Sequence, residues 1–164
     1  MESLIDKFTS TSDHPLIAGI SERDGEIETL NRYLRGELAA VQTYDQCIER
    51  VTEPDVVVGL SEIRASHQLR AEQLHNHITL LGGKPSESSG VWGAVARLLE
   101  GGANLFGVRA ALETLVNGEA HGIREYEDTR NLEPETLAFV RGHLQPEQEH
   151  THAKITALHE QTAR

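Results

Sequence analysis

Apolar residues along most of the chain recur at three- and four-residue intervals, which is the spacing of one face of an α-helix. Four such stripes follow one another, over residues 27–48, 56–81, 105–123 and 137–158. Pro146 interrupts the fourth stripe, and a proline inside a helix removes a backbone donor and bends the helix. No segment shows the sustained two-residue alternation of a β-strand. The pattern therefore predicts an all-α protein with four long helices.

The connections predict how these helices are arranged. A turn at Glu53 joins the first two helices, and a turn at Glu133 joins the last two, each Glu being followed by a proline. Connections this short place consecutive helices side by side and antiparallel. A much longer Gly- and Ser-rich segment begins at Gly82 and separates the two pairs. Two antiparallel helical hairpins joined by one long crossover form a ferritin-like four-helix bundle, which is the fold we predict.

The bundle is expected to occupy residues 25–164. Residues 1–24 are mixed in composition and have no sustained period, so they are interpreted as a partly flexible N-terminal arm, with room for one short helix. The remaining 140 or so residues are enough to bury a sizeable core in one domain.

Composition and charge exclude several classes of partner. The chain of 164 residues has Lys+Arg 15 against Asp+Glu 26, and its formal net charge of −11 repels nucleic-acid phosphates and anionic lipids. The single cysteine cannot form an internal disulfide. We expect neither a membrane span, since no run approaches about 20 apolar residues, nor a secretory signal, since the start MESLIDKFTS lacks a basic and then apolar stretch. We therefore expect a cytoplasmic protein that binds neither nucleic acid nor membrane. A homodimer formed through a helix face is the preferred assembly.

Helix geometry identifies polar residues that lie among the apolar stripes. An α-helix turns about 100° per residue, so each residue can be placed relative to the centre of its stripe. Glu37, His67 and Glu119 lie within about 40°, 10° and 20° of the centres on the first three helices. On the fourth helix Glu147 and Gln148 flank the centre at about 50°. Glu37, His67, Glu119 and Glu147 are 14 to 16 residues from the nearer Glu-Pro turn, so they are predicted to share one level of the bundle.

Three carboxylates and an imidazole at one level of an apolar interior indicate a bound cation, because a buried carboxylate is costly unless it is paired, protonated or metal-bound. These ligands suit iron, manganese or zinc. Di-metal sites in bundles take a Glu from each of two helices and a Glu-x-x-His from each of the others. Glu147 and His150 match one such motif, with His152 as an alternative to His150. The predicted ligands of one or two metal ions are therefore Glu37, His67, Glu119, Glu147 and His150.

The second helix departs from the di-metal pattern. It offers His67 where a Glu is expected and Arg70 where the His is expected. A Glu-x-x-His does occur there, from Glu72 to His75, but Glu72 falls about 150° from the stripe centre and faces solvent. The full six-ligand set is therefore absent.

That departure supports an alternative without metal. Arg70 and Arg130 are both expected to face inward, and two guanidiniums would neutralise the carboxylates. Tyr44 and Tyr126, which also face inward, would complete a buried network of ion pairs and hydrogen bonds. The sequence thus leaves open two functions, a ferritin-like metal-binding protein and a non-enzymatic structural or stress-associated bundle, and a protein without cofactor is equally defensible.

Five segments of the chain resemble a known family. In order, they are LNRYLRGELAAVQTY, SHQLRAEQLHNHITLLGGKP, SGVWGAVARLLEGGANLFG, NGEAHGIREYE and LQPEQEHTHAKITAL. Together they resemble a bacterial family of ferritin-like four-helix-bundle proteins of unknown function, over about residues 25–160. The most specific pieces are the Gly-Gly-x-Pro stop, the Ser-Gly-x-Trp-Gly crossover and the Gly-Glu pair with a Tyr seven residues later. The resemblance implies a ferritin-like fold in a bacterial cytoplasm and no established activity. Under the metal-binding hypothesis, a redox-active protein would handle iron or oxidants under stress.

Overall fold

The computed structural model describes residues 15–90 and 93–162, and these residues are helical except at the connections. The helices are α1 (Pro15–Ile48), α2 (Pro54–Leu80), α3 (Gly93–Glu127), α4 (Pro134–Phe139) and α5 (Gln145–Gln161), with a π-helical turn (Val140–Leu144) joining the last two. The described part of the chain contains no strand. The predicted all-α class and the four long helical segments are confirmed, the fourth being α4, the π turn and α5 in succession. No helix within the described ranges is long and apolar enough to cross a membrane.

Prolines and glycines mark the helix boundaries. Pro54 and Pro134 are the first residues of α2 and α4, where proline is favoured because the first amides of a helix have no partner within it. Gly82 follows the end of α2 with a φ of 81°, a conformation open to glycine. Gly107, with φ 75° and ψ 177°, divides α3 into two helical stretches.

The first helix begins earlier than the sequence pattern predicts. α1 starts at Pro15, so residues 15–24, assigned to the N-terminal arm, continue directly into the bundle helix. A proline usually indicates a loop, but it is also favoured at the first position of a helix. The sequence alone therefore did not show that α1 begins at Pro15. Residues 1–14 of the predicted arm lie outside the described residues.

The disturbance predicted at Pro146 is a π-helical turn. The Gln145 amide donates to the carbonyl of Val140, five residues earlier, instead of four. Pro146 has no amide to donate, and in a regular α-helix its ring collides with the carbonyl four residues before it. The wider turn just ahead of the proline relieves that collision and changes the helical phase of every residue that follows.

Two apolar clusters form the interior. α1 packs against α2 and α3, and α5 packs against the same two helices. Among the residues of the first cluster are Leu60, Ile63, Leu112 and Ile155. Among those of the second are Leu34, Ala71, Leu74 and Leu144. On α2 the clusters meet between Ile63 and Ala71, so polar side chains in that interval are enclosed by apolar residues on both sides.

A buried charged layer as the candidate functional site

Four charged side chains meet where the two apolar clusters adjoin. Glu37 comes from α1, His67 and Arg70 from α2, and Glu119 from α3, and each is at most 4% exposed. Arg70 is among the largest fully buried side chains of the described residues. These four residues are called the charged layer below. Since ionised groups this deep require partners, their contacts define what the site can do.

His67 bridges the two carboxylates. Its Nδ1 lies 2.7 Å from Oε2 of Glu37, and its Nε2 lies 2.7 Å from Oε1 of Glu119. These are the short distances of hydrogen bonds between charged groups. An imidazole ring can donate from both nitrogens only when both carry a proton. The geometry therefore favours an imidazolium between two carboxylates.

The pKa shifts support this charge state. Burial by itself raises the pKa of Glu37, but the charges of Arg70 and His67 outweigh it and lower that pKa to about 2. Burial also opposes the charged form of His67, yet Glu37 and Glu119 together raise its pKa. The pKa of Glu119 is lowered because its hydrogen bond and ion pair with His67 outweigh burial. With Arg70 charged, the layer carries two negative and two positive charges.

Arg70 connects Glu37 to α5. Its Nε donates to Oε1 of Glu37 at 3.0 Å, its Nη1 to Oγ of Ser66 at 2.9 Å, and its Nη2 to Oε1 of Gln148 at 2.9 Å. Nη2 also lies 2.7 Å from Nδ1 of His67. Because a protonated Nδ1 cannot accept, this contact brings two cations together. Glu37 touches both of them and offsets the repulsion.

Two tyrosines give the layer a reciprocal arrangement. Tyr44 on α1 donates to Oε1 of Glu119 on α3 at 2.6 Å, and Tyr126 on α3 donates to Oε1 of Glu37 on α1 at 2.5 Å. Each Gly-Glu segment with its Tyr seven residues later thus supplies a carboxylate to the other segment's hydroxyl. The inward positions predicted for both tyrosines are observed.

The helix after the π turn completes the hydrogen bonding of Glu119. Gln148 Nε2 donates to Oε2 of Glu119 at 2.6 Å, and Thr151 Oγ1 donates to the same oxygen at 2.8 Å. Each of the four carboxylate oxygens in the charged layer therefore has at least one protein donor. The layer is electrically balanced and saturated by groups of the chain itself.

The structure brings together three of the five predicted metal ligands. Glu37, His67 and Glu119 are in contact, whereas Glu147 and His150 are exposed on α5. The carboxylate of Glu147 reaches only Oγ of Ser66, at 3.4 Å. His152, the alternative to His150, is half-buried and is not among the described partners of the layer.

The π turn explains why Glu147 is not inward. Buried positions recur every fourth residue, at Thr136, Val140, Leu144 and Gln148. Four residues turn about 400° in a regular α-helix, so such a spacing drifts off one face unless a wider turn corrects it. The regular phase leaves Glu147 and Gln148 equally far from the centre of the stripe, and in the structure Gln148 faces inward, together with Thr151. The regular phase alone did not decide between Glu147 and Gln148.

Arg130 also lies away from the charged layer, which corrects the predicted neutralisation by two arginines. Its side chain is 85% exposed and pairs with Asp128 at 2.7 Å. It follows the end of α3 at Glu127, where a helical phase no longer applies. The second positive charge that neutralises the carboxylates comes from His67 instead. The sequence suggested His67 as a metal ligand, but its two short contacts with carboxylates favour the protonated imidazolium.

The donor set as arranged does not fit a metal ion. Among the described side chains, no group of three or more His, Cys, Asp or Glu is placed to hold one. Both nitrogens of His67 are used by carboxylates, and the guanidinium of Arg70 lies against Glu37, where a metal would need a free oxygen. A positive charge at the site is already provided by the chain.

An all-helical bundle with a buried, charge-balanced layer is the class of protein that the fold and the site define. The chain belongs to the family described as Domain of unknown function (DUF2383), whose profile matches residues 25–132. The match includes Glu37, His67, Arg70 and Glu119 and ends before α5. No curated protein and no solved structure matches the chain. The predicted resemblance to a family of unknown function is confirmed at that level.

Proposed function

We propose that this protein is a non-enzymatic structural bundle in which the charged layer fixes the alignment of the helices without a metal ion. The observation that carries the proposal is the double bridge of His67 between Glu37 and Glu119, at 2.7 Å on each side. A cation that belongs to the chain stands between the carboxylates. Arg70 balances the remaining negative charge.

The proposal includes the ferritin-like connectivity, with antiparallel hairpins α1–α2 and α3–α4–α5. Its support is the short connections after Ile48 and Glu127, compared with the 12 residues between Leu80 and Gly93. The contacts of α1 and α5 with both α2 and α3 are those of a four-helix bundle.

The physical reason for the role in alignment is that charges inside an apolar core are tolerated in one arrangement only. Sliding a helix by one turn moves its side chains by about 5.4 Å, well beyond hydrogen-bonding distance. Glu37 or Glu119 would then lie unpaired among leucines, at a cost of several kcal/mol. Fixing register is the best-attested use of buried polar groups, whereas their net contribution to stability is small.

Metal analysis combined with unfolding tests this function. Protein purified without chelator is expected to contain no stoichiometric iron, manganese or zinc, and dialysis against EDTA is expected to leave the melting temperature unchanged. Arg70→Leu is expected to lower the free energy of unfolding by about 3–5 kcal/mol, because it leaves Glu37 partly uncompensated.

Arg64→Leu is the matched control. Arg64 is also on α2, but it pairs with Asp45 at 2.9 Å in a partly exposed position, so its loss is expected to cost about 0–1 kcal/mol. Equal losses for the two variants would refute the role of the layer. A melting temperature that falls with EDTA and is restored by one metal would instead establish the metal-binding function.

A further inference from the structure

A cavity of about 320 Å³ lies between α1 and α3 and reaches the charged layer. Small residues form much of its wall, namely Gly36, Ala39, Ala40, Gly118 and Gly122. Tyr44, His67 and Tyr126 also line it, and the exposed Asn117 and Gly118 lie at its solvent side. Its volume is at the lower end of the roughly 300–1,000 Å³ that small-molecule sites occupy.

Neighbouring side chains do not fill this space. A Cβ atom added at Gly36 or at Gly118 would meet no atom within 4 Å apart from its chain neighbours and the backbone of its own helix. The two residues are the glycines of the Gly-Glu pairs on α1 and α3, so each precedes a carboxylate of the charged layer. On each of the two helices that border the cavity, a glycine, which has no side chain, therefore directly precedes the buried glutamate.

At the end of the cavity next to the charged layer, the polar groups can accept hydrogen bonds from a ligand, but all their protons are already donated to other groups. The hydroxyls of Tyr44 and Tyr126 have given their single protons to Glu119 and Glu37. Both nitrogens of His67 face carboxylates. A tyrosine oxygen that donates can still accept, so each hydroxyl retains an acceptor position for a group that enters.

The charges around the cavity are already compensated. The layer carries equal numbers of positive and negative groups, and at the solvent side Arg32 pairs with Glu125 at 2.6 Å. A charged ligand would lose its hydration beside walls of glycine and alanine without finding a free counter-ion. This excludes carboxylates, phosphates and ammonium groups and leaves neutral molecules.

We propose that this cavity binds a neutral, largely apolar small molecule with one hydroxyl group, which donates a hydrogen bond to the oxygen of Tyr44 or Tyr126. The apolar part lies along the glycine and alanine walls. The proposal goes beyond the alignment role of the charged layer, but it rests on the metal-free, charge-balanced state of that layer proposed above.

Four probes of similar size test the chemistry: p-cresol, toluene, benzoate and benzylammonium. Titrations followed by NMR are expected to show saturable shifts of the amides of Gly36, Ala40 and Gly118 with p-cresol. Toluene is expected to bind about threefold to tenfold more weakly, which is the contribution of one neutral hydrogen bond. The two ions are expected not to bind at the same site.

Variants locate the site. The double variant Gly36→Leu/Gly118→Leu is expected to abolish p-cresol binding by filling the cavity. Gly19→Leu is its control, because Gly19 is another α1 glycine with nothing within 4 Å and is not part of the lining.

Three outcomes would overturn the proposal: no saturable binding of p-cresol, equal affinities of p-cresol and toluene for the unaltered protein, or tighter binding of either ion. Equal affinities for p-cresol in the Gly36→Leu/Gly118→Leu and Gly19→Leu variants would also overturn it, since the ligand would then lie elsewhere.

Discussion

Gln148 on α5 holds Glu119 on α3 through two hydrogen bonds from one nitrogen, 2.6 Å to the carboxylate Oε2 and 3.0 Å to the backbone carbonyl. The oxygen of the same amide accepts from Arg70. A neutral side chain therefore joins the acidic and basic parts of the charged layer. The close approach needs Gly122, because a Cβ there would lie 2.6 Å from Nε2 of Gln148 and 2.9 Å from its Cδ.

Gly122→Ala is therefore expected to destabilise the protein although alanine is the better helix former. The added methyl group displaces the Gln148 amide, and each hydrogen bond lost to a charged partner costs about 1.5–3 kcal/mol. The gain in helix propensity is only about 1 kcal/mol. Urea unfolding of the variant measures the balance.

Gly118→Ala provides the control one turn away on α3. Its Cβ meets nothing within 4 Å, so we expect it to stabilise the protein by up to about 1 kcal/mol. If both alanines change the free energy of unfolding in the same direction, Gln148 does not depend on Gly122.

A second prediction separates the two neighbouring residues on α5. Gln148→Ala is expected to cost about 1.5–3 kcal/mol, since Glu119 and Arg70 each lose a partner. Glu147→Gln, at an exposed position, is expected to change stability by less than about 0.5 kcal/mol. Thermal melts of the two variants provide the measurement. A larger effect at Glu147 would mean that Glu147, and not Gln148, faces the charged layer.

The difference between Glu147 and Gln148 shows where sequence reasoning reaches its limit. On α1, α2 and the second part of α3 no proline interrupts the helix, so a turn of 100° per residue placed Glu37, His67 and Glu119 inward, as the structure has them. The π turn before Pro146 adds a residue to one turn of the last segment. A single such residue rotates everything after it, and its occurrence depends on local backbone geometry rather than on the apolar pattern.

The role of His67 also could not be predicted from its position. An inward imidazole between carboxylates is compatible with a metal ligand and with a cation that replaces the metal. The choice depends on whether the carboxylates approach the ring within hydrogen-bonding distance, which helix separation sets. Here both distances are 2.7 Å, and Arg70 supplies the second positive charge.

Two buried tyrosines allow a third prediction. The rings of Tyr33 and Tyr126 lie 4.9 Å apart, and both residues are at most 3% exposed. Tyr126 donates to the ionised Glu37, whereas Tyr33 donates to the backbone carbonyl of Asp128 at 2.7 Å. Tyr126→Phe is expected to cost about 1.5–3 kcal/mol and Tyr33→Phe about 0.5–1.5 kcal/mol. Equal losses in urea unfolding would show that the charge on Glu37 does not strengthen its hydrogen bond.

The fourth prediction concerns pH. The folded pKa of His67 is raised above 6.5, so its contribution to stability is complete below pH 6.5 and is lost as the pH rises through the raised value. Glu37 has a pKa lowered from 4.5 to about 2, so its contribution is complete above pH 4.5 and is lost as the pH falls toward 2. The layer is therefore expected to stabilise the protein most between these two limits. Each group can change the free energy of unfolding by at most about 1.4 kcal/mol per pH unit.

His67→Gln isolates the alkaline side of this profile. Glutamine lacks the charge, so the variant is expected to be less stable than the unaltered protein at pH 6, with a difference that shrinks as the pH rises. Subtracting the two profiles, measured by urea unfolding from pH 5 to 9, removes the contributions of the other histidines. A difference that stays constant over this range would mean that His67 is neutral between Glu37 and Glu119, and the charge balance proposed for the layer would then be incorrect.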